Sequence, residues 1–102
     1  MIQQELQNNL NEVTLLMKSH KVRKTYAFGS VCADDFTKDS DIDFLISFDK
    51  NLDPVEYGTL YFNLANELEK LLNRPVDLLT DYALKNPYFI KEINATKVAL
   101  YE

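Results

Sequence analysis

The sequence is short of several things, and each shortage narrows what the chain can be. One cysteine, Cys32, among 102 residues cannot form an internal disulfide, so a reducing cytoplasm is the expected setting. No apolar run approaches the roughly 20 residues that a helix needs to cross a bilayer, and no membrane partner is expected. The opening Met1-Ile2-Gln3-Gln4-Glu5-Leu6 has neither the basic start nor the continuous apolar stretch of a secretory signal. Positive charge is scarce as well: eleven Lys and Arg against sixteen Asp and Glu leave a net charge of −5. That balance repels polyanions, so long nucleic acid is not an expected partner, whereas bound divalent cations would offset part of it. The single histidine, His20, falls at the expected end of the first helix, where a cationic ring complements the dipole or simply meets water. It is assigned no catalytic role. Cys32 has no histidine near it in sequence to activate it, and small-residue packing is its expected job.

What is present is ordinary for a folded domain. Hydrophobic residues make up 46% and charged residues 26% of the chain, enough apolar material for one core and no sign of disorder. A single domain over residues 1–102 is expected, without repeats, linkers or low-complexity segments. Ile2, Leu6, Leu10, Val13, Leu16 and Met17 recur at spacings of three and four, which predicts a first helix of about four turns. Val22 to Phe28 is rich in β-branched and aromatic residues and ends at Gly29, which predicts a strand. A second strand is expected over Asp41–Phe48, with Ile42, Phe44, Ile46 and Phe48 on one face and both aspartates on the other.

Asp53-Pro54-Val55-Glu56 then reads as a helix start, with Asp53 as N-cap, Pro54 at the first helical position and Glu56 placed as in a capping box. Tyr57, Leu60, Tyr61, Leu64, Leu68, Leu71 and Leu72 form the stripe it would bury, and Asn73-Arg74-Pro75 ends it. Val76-Asp77-Leu78-Leu79 predicts a short third strand, Asn86-Pro87 opens a short helix through Ile93, and Val98–Tyr101 is a last strand or a helical tail. The fold class expected from this order is α/β (α+β), a small mixed sheet packed with helices.

The residues suited to chemistry are Gly29-Ser30, then Asp41-Ile42-Asp43 ten residues later, then Asp77. A glycine closing a strand lets a phosphate approach the backbone, and the adjacent N–H groups and the Ser30 hydroxyl can donate to its oxygens. Two carboxylates at i and i+2 of a strand share one face, where they can hold hard cations such as Mg²⁺ that keep water and substrate phosphates as their other ligands. In two-metal sites of this kind the ions stand roughly 3.5–4 Å apart and clamp the attacking and leaving oxygens of an in-line displacement. Asp77 lies among Val76, Leu78 and Leu79, where an unpaired carboxylate is costly. A metal or a substrate hydroxyl would account for it, as third ligand or as the base accepting the attacking proton. Asp81 competes for that role but follows the strand. A calcium-binding helix-loop-helix starting at Asp39 fails, because its sixth and twelfth positions would be Phe44 and Lys50 instead of glycine and glutamate.

Gly29-Ser30-x10-Asp41-x-Asp43 with Asp77 resembles the nucleotidyltransferase superfamily related to DNA polymerase β, and within it the minimal nucleotidyltransferases. The resemblance runs from the first helix to the closing Val98–Glu102. It implies the nucleotidyltransferase fold, Gly29 and Ser30 on the phosphates of ATP, and Asp41, Asp43 and Asp77 as catalytic metal ligands for two Mg²⁺ ions. Members of this small group are similar to the antitoxin halves of toxin–antitoxin pairs whose partner is a helical HEPN ribonuclease. The implied reaction is transfer of AMP from ATP to a tyrosine of that toxin. The alternative is an antitoxin that acts by binding its toxin, with little or no catalysis; transfer to a small molecule or an RNA end is a third reading, and a homo-oligomer is possible. One departure stands out: after Gly-Ser the small members usually continue with an arginine and a glycine, where this chain has Val31-Cys32-Ala33-Asp34. Lys38, Arg23 or Lys24 are the candidates to replace the lost cation.

Overall fold

The computed structural model describes residues 3–32, 37, 39–81 and 84–101, with the side chains of Ser30 and Cys32 outside the description. The helical stripe expected at the N-terminus is realised in two pieces, α1 (Gln4–Gln7) and α2 (Leu10–Ser19). Asparagine causes the break: its side chain competes with helical backbone bonds, and here Asn9 Nδ2 donates to Glu5 O at 2.9 Å. The apolar face survives it, since Leu6, Val13 and Met17 are all buried; Ile2 lies outside the described residues. His20 caps α2, its Nδ1 2.7 Å from Leu16 O.

Strand β1 (Val22–Phe28) runs as expected and passes into a 3₁₀ turn at Gly29–Cys32. A bulge between Val22 and Lys24 changes the register against β2, so that Val22, Thr25 and Ala27 all come to be buried although simple alternation would not place them together. Strand β2 (Ile42–Phe48) carries Ile42, Phe44, Ile46 and Phe48 into the core, while Asp41 stands one residue ahead of it. Helix α3 (Pro54–Leu72) is capped by Asp53, whose carboxylate accepts from Glu56 N at 2.9 Å. The Glu56 carboxylate turns to Lys21 Nζ, 2.8 Å away. The expected stripe of α3 packs inward, with Leu64, Leu68 and Leu72 buried and Tyr57, Leu60, Tyr61 and Leu71 against them. Asn73, at φ 53°, ends the helix in the left-handed conformation.

Strand β3 (Val76–Thr80), helix α4 (Pro87–Thr96) and strand β4 (Val98–Tyr101) complete the chain. Asn86 caps α4 by accepting from Tyr88 N at 2.9 Å, and the helix runs three residues past the expected Ile93. The last segment is a strand and not a helical tail, because it pairs antiparallel with β1. The four strands lie in the order β3-β2-β1-β4, β2 parallel to β3 and the other pairs antiparallel, which makes the expected mixed sheet.

Helices α2 and α3 cover one face of the sheet around Met17, Phe44, Ile46, Leu64 and Leu68. The other face carries a smaller cluster of Phe28, Leu45 and Ile93, the last supplied by α4. Among the described residues no helix is long and apolar enough to cross a membrane.

Candidate active site

The strand pairings decide which carboxylates meet. Asp43 on β2 has two register partners, Phe28 on β1 and Asp77 on β3. Paired residues of neighbouring strands project from the same face, so Asp43 and Asp77 stand side by side on the face that α4 only partly covers. Asp41, outside the strand, is exposed.

Gly29 follows Phe28 and sits directly against Asp43. Its φ is +75°, and a Cβ built there would stand 2.5 Å from Asp43 Oδ2. The position therefore requires glycine twice, for the left-handed backbone and for the carboxylate beneath it. The structure thus ties the glycine and the second aspartate of the motif into one unit. The Ser30 hydroxyl, expected on the phosphates, lies outside the described residues.

Burial, reinforced by the negative charges of Asp77 and then Asp41, pushes the Asp43 carboxyl up to about 6 from an ordinary 3.8. A half-buried carboxylate beside two others is the arrangement a divalent cation relieves, because the ion supplies the missing countercharge. The oxygen-only donor set fits Mg²⁺, which is commonly held by one or two carboxylates plus substrate phosphates. Among the described residues, no group of three or more Asp, Glu, His or Cys side chains is gathered closely enough to hold a metal ion; Asp41 and Asp77 lie near enough to Asp43 to act on its charge.

Other candidates separate from this centre. Asp81 is exposed and accepts from Ser47 Oγ at 2.9 Å. It lies four residues beyond Asp77 along the chain, about 13 Å at strand spacing. Arg23 and Lys24 are exposed at the start of β1, six and five residues from Gly29, their backbones roughly 16–20 Å away along the strand. Both lie toward the opposite end of β1 from Gly29; Lys38 lies outside the described residues. Val31 points inward, fully buried, and its carbonyl accepts from Gln3 N at 2.9 Å.

Two contributions escaped the sequence reading. First, α4 walls a cleft of about 360 Å³ over the centre, lined by Phe28, Gly29, Asp43, Phe89, Glu92 and Ile93. Phe28 and Phe89 meet edge to face with centroids 6.2 Å apart. The i, i+4 pair Phe89 and Ile93 was a readable signal that this helix had one buried side, but not which strands it faced. Second, Arg74 Nη1 donates to Thr37 O and Ser40 O, each at 3.0 Å. In the sequence Arg74 is merely part of a helix-ending tripeptide.

The sequence matches the model of the family described as polymerase beta, nucleotidyltransferase, over residues 8–102. A relative from Methanocaldococcus jannaschii, named "Putative protein adenylyltransferase MJ1379", is 38% identical over 79 residues, spanning 78% of this chain and 77% of its own. Among solved structures, a toxin–antitoxin with AMP-PNP superposes with a TM-score of 0.72 at 23% identity, covering 91% of this chain and 73% of that one. The antitoxin complexed with a tri-AMPylated Shewanella oneidensis HEPN toxin superposes with a TM-score of 0.66 at 23% identity, over 93% and 71% of the two chains. At these identities the structural matches establish the fold. The chain belongs to the polymerase beta nucleotidyltransferase family and is a nucleotidyltransferase.

Proposed function

We propose that this nucleotidyltransferase moves AMP from ATP to a tyrosine hydroxyl of a helical HEPN-type partner, and so acts as the antitoxin of a toxin–antitoxin pair. The observation that carries the reading is the joint placement of Gly29, Asp43 and Asp77, with Asp43 held up at about 6 by burial and by like charge. The acceptor class is supported by the names of the relatives, one a "Putative protein adenylyltransferase" and another from a complex with a tri-AMPylated HEPN toxin.

In this reading Asp41 and Asp43 hold Mg²⁺, with Asp77 as third ligand or as the base for the incoming hydroxyl. Mg²⁺ held there would neutralise phosphate charge and polarise the α-phosphate oxygens. The backbone N–H groups of the Gly29–Cys32 turn would donate to the β- and γ-phosphates. The tyrosine oxygen forms a bond to the α-phosphorus, the bond from that phosphorus to the bridging oxygen breaks, and pyrophosphate leaves. The phenol proton passes to Asp77 or to water. The cleft under α4 would shelter the nucleotide from solvent on one side.

The test is to incubate the protein with MgATP and its co-encoded helical partner and weigh that partner. A gain of one or more AMP units, lost with Asp43→Asn, is expected. An unchanged partner mass, with wild type and variant alike, would sink the activity.

A second reading, protection by binding alone, is favoured by one observation. Val31, directly after the phosphate turn, is buried in the core and offers no cation to the phosphates. If binding suffices, the Asp41→Ala, Asp43→Ala double variant still neutralises the toxin at equal expression.

A further inference from the structure

Asp41 raises a physical problem that Asp43 and Asp77 do not. Those two are strand residues held by pairing, whereas Asp41 precedes β2 and is exposed, so its position is set by the peptides on either side of it. A metal ligand that is not held in place must be ordered at the moment of binding, which weakens affinity.

The structure supplies that order from an unexpected quarter. The peptide on the C-terminal side of Asp41 is tied by Ile42 N donating to Pro75 O at 3.1 Å. On its N-terminal side, Ser40 O accepts from Arg74 Nη1 at 3.0 Å. The same nitrogen donates to Thr37 O, also at 3.0 Å, where Ser40 N donates as well at 3.1 Å. The turn is further closed by Thr37 N donating to Ser40 Oγ at 3.0 Å. Arg74 is itself held in a rigid turn: Asn73 is left-handed before it, Pro75 follows, and Val76 N donates to Glu69 Oε2 at 3.0 Å. One guanidinium nitrogen thus spans the two carbonyls of the turn that delivers Asp41.

We propose that Arg74 is a positioning residue for Asp41: it fastens Thr37 and Ser40 to the α3–β3 corner and so presents the Asp41 carboxylate toward the same ion as Asp43. This rests on the reading of Asp41 and Asp43 as metal ligands. Arginine suits the task because its planar group aims several N–H donors in fixed directions, which a lysine ammonium does not. Loss of a partner that orients a ligand typically lowers metal affinity about 10–100-fold.

The sign of the effect separates positioning from plain electrostatics. Removing a positive charge near an acidic site should tighten cation binding by Coulomb attraction alone, whereas loss of positioning weakens it. The experiment titrates the full chain with Mn²⁺ alone and reads the free-ion signal by electron paramagnetic resonance, for wild type, Asp41→Asn, Arg74→Ala and Arg74→Lys. Circular dichroism checks the fold of each, and Arg74→Lys, which retains charge and bulk, carries the test should Arg74→Ala not fold. Expected is a weakening of about tenfold in both Arg74 variants, approaching that of Asp41→Asn. In nucleotidyl transfer the half-saturating Mg²⁺ rises in parallel, while kcat at saturating Mg²⁺ changes by less than about threefold. Unchanged or tighter Mn²⁺ binding in folded Arg74 variants, with Asp41→Asn weakened, overturns the proposal and leaves the metal site standing. Equal binding by wild type and Asp41→Asn overturns the metal reading of Asp41 itself, and the role of Arg74 with it.

Discussion

Asp43 and Asp77 are register partners across the parallel β2–β3 pair. Two residues 34 positions apart in sequence therefore present carboxylates from one face of adjacent strands, roughly 5 Å apart in backbone terms. Each charge disfavours the other, and part of the cost falls on Asp43, whose carboxyl is also half-buried. A fold that maintains such a pair gives up stability, which a cation bound as proposed would restore.

Replacing Asp43 by asparagine is accordingly expected to stabilise the metal-free protein while abolishing its chemistry. Above pH 6 the gain should be about 1 kcal/mol after solvent screening is allowed for, or roughly 4–8 °C in Tm. Nucleotidyl transfer should fall at least about 10²-fold, as expected when metal charge stabilisation is lost. Calorimetry in EDTA and a transfer assay in Mg²⁺ check the two halves.

The pH dependence has a definite sign. The folded-state carboxyl of Asp43 titrates at about 6, above its ordinary 3.8. The folded chain therefore retains a proton in that window, and the stability this contributes is present below it and is lost as pH rises through it. The difference in Tm between Asp43→Asn and wild type should be small below pH 4 and reach its full value above pH 6. With limiting Mg²⁺, activity should decline as pH falls below about 6, and more Mg²⁺ should move that midpoint lower, since metal and proton compete for one carboxylate.

Gly29→Ala should lose activity and stability together. The added methyl meets the Asp43 carboxylate at 2.5 Å and strains a backbone at φ +75°. A cost of at least about 1 kcal/mol in denaturant unfolding is expected, with transfer reduced at every Mg²⁺ concentration. Gly58, whose added Cβ would meet nothing within 4 Å, is the control; Gly58→Ala, in the middle of α3, should stabilise by about 0.5–1 kcal/mol.

The helix caps separate stability from function. Asp53→Ala and Asn86→Ala each remove a side-chain cap and should each cost about 1 kcal/mol. Only Asn86 caps α4, which walls the cleft. Thermal unfolding should show similar losses for the two, whereas KM for ATP should rise for Asn86→Ala alone.

Much of this was legible beforehand because it depends on local chemistry. Alternating apolar residues in Ile42–Phe48, the Asp53-Pro54 start of α3 and the Asn73-Arg74-Pro75 stop each act within a few residues, and the structure contains all three. The break in the N-terminal helix is not legible in the sequence, because periodicity registers the apolar face and not the side-chain bond of Asn9 to the helix backbone. Asp41, Asp43 and Asp77 could be singled out as carboxylates on strands or at their ends, yet no local rule says which strands are neighbours.

By itself, then, the sequence determined the kind of chemistry available: carboxylate oxygens in place of thiols or imidazoles, a glycine-ended strand, a net negative charge and too few thiols for an internal disulfide. Side-chain identity and short-range periodicity suffice for those. Only the tertiary structure decided that Asp77 stands in register with Asp43, that Gly29 leaves room for that carboxylate, that α4 closes a cleft above it, and that Arg74 reaches back to the turn before Asp41. Each of these joins segments distant in the chain. Long-range contacts arise from how whole elements bury their apolar faces against one another, a choice that no window of neighbouring residues contains.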